Sequence, residues 1–409
     1  MKITGRTDAD LGVAPVFGLA VFAQMIFNQQ DLNPVWNILV EAASNDPPDP
    51  GALLNMSMLL QLTGQPEPGL DLQTQALAMT RMFKRTHGDG SGLRILAIVT
   101  PGDFMANTPL DFLLSGSDAT AYFVYATPDG ELPEEVPDHD VAFFAIGEST
   151  ANYQTLLGVA PALAGWRRPI INGSALTIAG LTRDGVCEMC AGIPEVLAPS
   201  TAQVFREGVQ AIAEGLAPLS DFLEPGTFPI IIRPIDSHAG RDLEKMNEPA
   251  DLKAYLAAKS GENFYITQFI DYSGPDGLFR KQRVAFLKGK PFISHMAVSE
   301  HWMVHYLNAS MDEKPERRDE EAAFMDGFDQ GFALRHSKAF EGLYRAFGLE
   351  YFAIDCAELP DGRLLLFEAD VAMIIHALDS PELYPYKPRA MAKLFSGVMG
   401  MLDETARAA

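Results

Sequence analysis

The sequence predicts an α/β protein in three parts. An all-helical segment over 1–90 precedes a small parallel α/β domain over 91–175 and a larger mixed α+β remainder. Three observations predict this. Segments 34–44, 51–63 and 69–85 carry apolar residues at helical spacing, separated by the breakers DPPDPG at 46–51 and TGQPEPG at 63–69. From residue 94 onward come short continuous apolar runs, the pattern of strands buried on both faces. Helical stretches alternate with those runs, as in a parallel sheet with crossover helices.

In chain order, Leu11–Phe27 is the first apolar stretch. It lacks the basic flank and small-residue cleavage site of a signal peptide. Its 17 residues are short for a membrane span, so it reads as a buried helix. The pair of helices over 51–79 resembles a tetratricopeptide-type hairpin, over about one repeat. A plain helical layer packed on the rest of the chain is the alternative, because a lone repeat must bury its faces elsewhere. HGDGSG at 87–92 reads as a connection. Strands follow at Arg94–Thr100, Ala121–Ala126, Val141–Ile146 and Pro169–Asn172, with a helix at Pro109–Leu114. Beyond them, Leu181–Gly192 and Glu248–Ser260 read as helices and Phe228–Arg233 as a strand. Further strands lie in FYITQFI, QRVAFLKGKPFISHMAV, YFAIDCAEL and RLLLFEAD. The charged stretch 312–346 reads as helical, with DEKPERRDEE as a solvated helix or loop.

Composition bounds the function. The chain has 409 residues, with 31 Lys+Arg against 54 Asp+Glu, a net charge of −23. That sign argues against nucleic acid or an anionic membrane as partner. It leaves room for an anionic small ligand in a local cationic pocket. Three cysteines (Cys187, Cys190, Cys356) cannot make a disulfide framework, which fits the cytoplasm. Cys187 and Cys190 form a C-x-x-C inside a helix without further ligands nearby, a structural pair.

Three segments carry candidate chemistry. In YFAIDCAELPDGRLLLFEAD, a two-residue loop at Asp361-Gly362 would set Asp355 opposite Glu368, with Asp370 on the same face. Opposed carboxylates repel, so either a hard cation such as Mg²⁺ neutralises them or the hairpin is exposed and the cluster accidental. In FPIIIRPIDSHAGRD, a strand ends at Arg233 and is followed by a loop with Ser237, His238 and Gly240, able to offer N–H groups and a hydroxyl to phosphate. In FRKQRVAFLKGK, Lys281 and Arg283 share one face of a strand; a charged, solvated edge strand is the alternative. His301 and His305 would share a helix face and, with His295, line an acceptor pocket or simply pack. His376 lies six residues beyond Asp370.

In order, the α/β domain, PIINGS, LTRDGVCEMCAGIPEVLAPST, FPIIIRPIDSHAG, FYITQFI, the basic strand pair and D-x₁₂-E-x-D resemble the ATP-grasp superfamily, which includes D-alanine–D-alanine ligase and glutathione synthetase. The resemblance spans about 91–400. It implies a two-lobed ATP-grasp unit, with lobes over 176–265 and 266–409. It implies ATP and two Mg²⁺ ions, the metals on Asp355, Glu368 and Asp370. Phosphate would meet Arg183, Arg233 and the loop Ser237, His238, Gly240; adenine would meet Gln268, Phe269 and Ile270. Arg283 and Lys281 would offset charge during transfer. The implied reaction joins a small-molecule carboxylate to an amine through an acylphosphate, in a protein with a possible homodimeric habit. The alternatives are a nucleotide-binding protein of this fold that docks a partner through its helical segment, or an ATP-dependent kinase. Three departures stand out: arginine where the family more often has lysine at 183 and 233, Asp370 where Asn is usual, and no acidic residue beside Gln268–Phe269.

Overall fold

A computed structural model of the chain describes residues 2, 3, 6–237, 240–305 and 308–408. After β1 (Lys2–Ile3) and β2 (Ala14–Pro15), four helices follow: α1 (Leu19–Phe27), α2 (Asn33–Ala43), α3 (Pro50–Leu62) and α4 (Pro66–Met79). The Leu11–Phe27 stretch is therefore helical only in its second half. Pro15 has no N–H to donate, and Gly18 sits at φ 94°, outside the helical region, so the helix starts after it. α3 starts on Asp49, whose carboxylate accepts from the N–H groups of Gly51 and Ala52 at 2.7 and 3.0 Å.

The expected all-helical stretch ends at Met79. Met82–Thr86 is a strand, β3, where the helix of 69–85 was expected to continue. The reason is tertiary: β3 pairs antiparallel with β5 and buries Phe83 completely. β4 (Arg94–Val99), α5 (Leu110–Leu113), β5 (Thr120–Tyr125), β6 (Glu135–Val136), β7 (Val141–Phe144), α6 (Tyr153–Ala164) and β8 (Ile170–Ile171) complete this part. The sheet order is β2-β3-β5-β4-β7-β8, with β5, β4, β7 and β8 mutually parallel as expected. α3 and α4 do form a hairpin. Its inner face, through Leu53, Leu54 and Ala76, packs on this sheet and not on a second repeat.

α7 (Ala175–Ala179), α8 (Arg183–Cys190) and β9 (Val196–Leu197) come next. β9 joins a five-stranded sheet although the first lobe was expected to cover 176–265, whereas α7 packs on α6 of the first part. The smaller lobe comprises β10 (Thr201–Phe205), α9 (Arg206–Ala213), β11 (Ile230–Pro234), β12 (Glu244–Met246), α10 (Pro249–Ala258) and β13 (Asn263–Gln268), in the order β10-β13-β11-β12. β14 (Phe279–Leu287), β15 (Lys290–Ser299), α11 (Pro315–Gly327), α12 (Phe332–Arg335), α13 (Ser337–Phe347), β16 (Tyr351–Glu358) and β17 (Leu364–Asp370) build the larger lobe, order β15-β14-β16-β17-β9. β14 is thus an interior strand, which removes the edge-strand explanation of its charges. α11 carries the run read as solvated, yet Arg317 and Glu321 are buried in it. Arg317 donates to the Ala309 carbonyl at 2.6 Å, and Glu321 accepts from Met296 N–H at 3.0 Å.

α14 (Lys387–Arg407) closes the chain by inserting Met391, Leu394, Val398 and Leu402 between the first sheet and Leu287 of β14. Asn172 makes a second tie. It is fully buried, donates to Tyr351 O at 2.6 Å and accepts from Tyr351 N at 2.9 Å, locking the end of β8 to the start of β16. Together these ties fix the first sheet against the hairpin that carries the acidic residues. Among the described residues no helix is long and apolar enough to cross a membrane.

Candidate functional site

A cavity of about 690 Å³ lies between the two lobes, within the range of small-molecule sites. The hairpin β16–β17 forms its floor. Asp355 pairs directly with Glu368, and Ala353 with Asp370. The register matches expectation by a different route. The turn is the three residues Pro360–Gly362, with Gly362 at φ 85° and Leu359 bonded to Arg363. That shifts the pairing by one residue. A bulge that leaves Phe367 unpaired, between Asp355/Glu368 and Cys356/Leu366, shifts it back.

β14 lies beside β16 with Arg283 opposite Asp355. Lys281 is two residues back and so on the same face. Lys281 Nζ reaches Asp355 Oδ2 at 2.9 Å. Arg283 Nε reaches Oδ1 at 2.8 Å and its Nη2 reaches Oδ2 at 3.0 Å, while Nη1 donates to Ile374 O at 3.0 Å. Asp355 is 1% exposed. Burial alone would raise its pKa, but the Arg283 and Lys281 charges hold it well below the usual range.

Arg183 opens α8 after the Thr182 cap, whose Oγ1 accepts from Gly185 N–H at 3.1 Å. Its guanidinium meets Glu368 Oε2 at 2.5 Å. Burial opposes ionisation of Glu368, yet Arg183 brings its pKa below the ordinary value. Arg233, at the end of β11, donates from Nε to Ser237 Oγ at 2.9 Å, and Ser237 Oγ donates to Pro234 O at 2.8 Å. The Ser237 hydroxyl is therefore occupied in orienting Arg233, where the sequence reading turned it toward phosphate. Burial, then the Arg183 charge, pushes the Arg233 pKa down to about 10. Gly240 lines the cavity, whereas His238 lies outside the described residues.

Gln268, Phe269 and Ile270 line the cavity between the lobes. Phe269 meets Trp302 edge-on at 5.6 Å, and Lys245 Nζ stands 3.6 Å from the Phe269 ring centroid. A cation thus occupies the neighbourhood where no acidic residue was found. His295, His305 and His376 face the same cavity; 300–305 is irregular and not helical, so the shared helix face of His301 and His305 is not formed. Burial lowers the pKa of all three cavity histidines, which keeps them neutral at pH 7. His376 packs between Phe27 and Phe112, ring centroids 6.2 and 6.1 Å away.

The metal expectation meets a specific arrangement. Both oxygens of Asp355 are taken by protein cations, and Glu368 Oε2 is taken by Arg183. Among the described residues no group of three or more His, Cys, Asp or Glu is placed to hold a metal. Asp370 is different. Burial, then the Glu368 charge, pushes its pKa up to about 6, against the Ala372 N–H bond that favours ionisation. The remaining donors, Glu368 Oε1 and Asp370, suit one Mg²⁺ completed by phosphate oxygens and water. A second ion would need Asp355 to leave its cations.

Sequence reasoning missed Glu148, in the loop after β7. Burial, then the charges of Asp370 and Asp236, push its pKa up to about 7. Nothing local marks it, since its relevance depends on β7 ending beside the hairpin. A carboxyl raised from 4.5 to about 7 on folding burdens the fold progressively as pH rises across that window, and in full above it. Glu148→Gln should therefore raise the unfolding free energy measured in urea at pH 8, by roughly 1 kcal/mol after discounting for partial exposure, and change it little at pH 5. Equal effects at both pH values would show that Glu148 ionisation does not burden the fold.

No family model matches this chain, and no curated protein does. Among solved structures, it is similar to VanG D-Ala:D-Ser ligase from Enterococcus faecalis at 13% identity and TM-score 0.46, over 76% of this chain and 100% of that one. D-alanine–D-alanine ligase from Bacillus anthracis, complexed with ATP, gives 13% and 0.42 over 78% and 98%. A RimK domain ATP-grasp protein from Sphaerobacter thermophilus gives 13% and 0.42 over 75% and 99%.

Proposed function

We propose that this chain is an ATP-grasp-type ligase that uses Mg·ATP to activate a small-molecule carboxylate and joins it to an amine. One observation carries the proposal: an inter-lobe cavity with four cationic side chains (Arg183, Arg233, Lys281, Arg283) converging on an acidic hairpin, in a chain of net charge −23. Three of these cations already meet Asp355 or Glu368, whereas Arg233 bonds only the Ser237 hydroxyl, so a triphosphate supplies the anion that Arg233 lacks and adds oxygens for the other three. Phe269, Ile270 and Trp302 provide the apolar walls for a base at the other end.

In this reading Arg183 and Arg233 hold phosphate oxygens, and Arg233 is kept in place by Ser237. Lys281 and Arg283 face the transferring phosphoryl group and the acylphosphate oxygens. Their preset position supplies charge compensation without reorganisation at the moment of transfer. Glu368 and Asp370 would hold Mg²⁺, which supplies further charge neutralisation when bound. The cavity histidines, neutral at pH 7, lie on the acceptor side, where an amine must arrive unprotonated to attack.

Trp302 makes binding visible. Mg·ATP at millimolar concentration should release or absorb heat in calorimetry and change Trp302 fluorescence. Absence of both signals removes the proposal. Glu368→Ala should abolish the Mg-dependent part of binding and leave the fold intact; unchanged Mg dependence removes the metal assignment alone. ADP release from a panel of carboxylates and amines separates turnover from binding.

A further inference from the structure

A second cavity, of about 100 Å³, lies outside the cationic cleft. Its floor is made by Val99 and Tyr125, at the carboxyl ends of β4 and β5, where open α/β sheets bind ligands. Its roof is α3, through Leu54, Met58 and Gln61. Phe104 lines both this cavity and the cleft, so one side chain stands between them.

The loop bearing Phe104 is clamped. Asn107 accepts from Thr100 N–H at 2.8 Å and donates to Thr100 O at 2.9 Å. Gln73 of α4 accepts from Gly102 N–H at 2.8 Å and donates to its carbonyl at 2.9 Å. Thr108 Oγ1 donates to Val371 O, just past the acidic hairpin, at 2.8 Å. The helical layer therefore both roofs the cavity and sets the loop that separates it from the cleft.

The walls are mostly apolar, and the wall amides of Gln73 and Asn107 are engaged in these clamps. Among the wall amides Gln61 is the exception, and the Asp111 carboxylate, also on the wall, faces Arg85 and His87 at 3.4 and 3.3 Å. Gln61 Nε2 donates to Ser57 Oγ at 3.1 Å, but Oε1 is a buried acceptor with no partner. An unmade hydrogen bond of this kind leaves the oxygen desolvated without return, which a ligand N–H or O–H would recover. A cavity of ~150 Å³ takes benzene, so this one takes roughly four to six heavy atoms.

We propose that, with the Phe104 side chain turned aside on its clamped backbone, this cavity receives the apolar tail of the carboxylate activated in the cleft, and that Gln61 accepts a hydrogen bond from a hydroxyl or N–H on that tail. The N-terminal helical layer is then a specificity element that measures the acyl chain. This rests on the ligase reading above.

The test uses the full-length protein with Mg·ATP, hydroxylamine to trap acylphosphate, and straight-chain carboxylates from acetate to octanoate, with 6-hydroxyhexanoate beside hexanoate. ADP release should show an optimum chain length. Met58→Phe should shorten that optimum and lower kcat/KM for the preferred acid about 10-fold, the scale of a methylene or two in an apolar pocket. Met58→Ala should lengthen it, and both should leave KM for ATP unchanged. Gln61→Leu should erase the preference for the hydroxylated acid over hexanoate. The proposal is overturned if all variants keep one length profile, or if no acid of the series accelerates ADP release while Trp302 reports bound nucleotide. A silent Trp302 signal instead identifies failure of the nucleotide reading on which it rests.

Discussion

Replacing Arg283 with methionine is expected to lower turnover by about 10²–10³-fold and to destabilise the fold by about 3–5 kcal/mol, two effects with one origin. Asp355 is buried and bonded by three N–H groups, two of them from Arg283. Methionine fills similar space but leaves the carboxylate with Lys281 alone. Breaking a buried pair from one side is costly because the surviving charge keeps its desolvation penalty. The double variant Arg283→Met/Asp355→Asn should recover part of the stability, because the under-compensated carboxylate is gone while Lys281 loses its partner. It should recover none of the turnover if Arg283 is the cation that faces the phosphoryl group, as proposed above. Urea denaturation and ADP release check the two halves. A single variant as stable as the parent would show that Lys281 alone suffices to hold Asp355.

The strands of the first sheet were legible because they are continuous apolar runs of the right length, and burial on both faces leaves no competing pattern. β3 was not. Met82 and Phe83 continue the apolar spacing of α4, and only the exposed edge of β5 converts that segment to a strand. The Asp355–Glu368 pairing was legible for a partly mistaken reason. The turn holds three residues, and the compensating bulge at Phe367 depends on strand twist, which a single sequence does not display. The cationic partners of the carboxylates were named separately as Lys281, Arg283 and Arg183, but not as partners. Arg283 and Asp355 are 72 residues apart, and their pairing is a property of sheet order. The same holds for Ser237. A hydroxyl in a polar loop after Arg233 looks available until the loop curls back and Arg233 Nε uses it. Arg317 and Glu321 look like solvated charges until the backbone groups of Ala309 and Met296 are placed beside them.

Arg233→Met should move two measurements in opposite directions. Arg233 is 8% exposed, and among the described residues its side chain bonds the Ser237 hydroxyl, not a carboxylate. Burial and the neighbouring Arg183 push its pKa down to about 10, so the folded state without ligand works against its charge. Methionine removes that opposition and should raise the unfolding free energy measured in urea slightly, by up to about 1 kcal/mol. Mg·ATP affinity should fall by roughly 10–150-fold, the scale of a lost hydrogen bond to a charged group. Arg233→Lys should sit between, because the charge survives but the planar fork held by Ser237 does not. A residue kept for packing alone would lose stability on truncation and leave nucleotide affinity unchanged. Arg233 is expected to do the reverse, which follows if this corner of the fold tolerates an unpaired buried cation because a phosphate completes it.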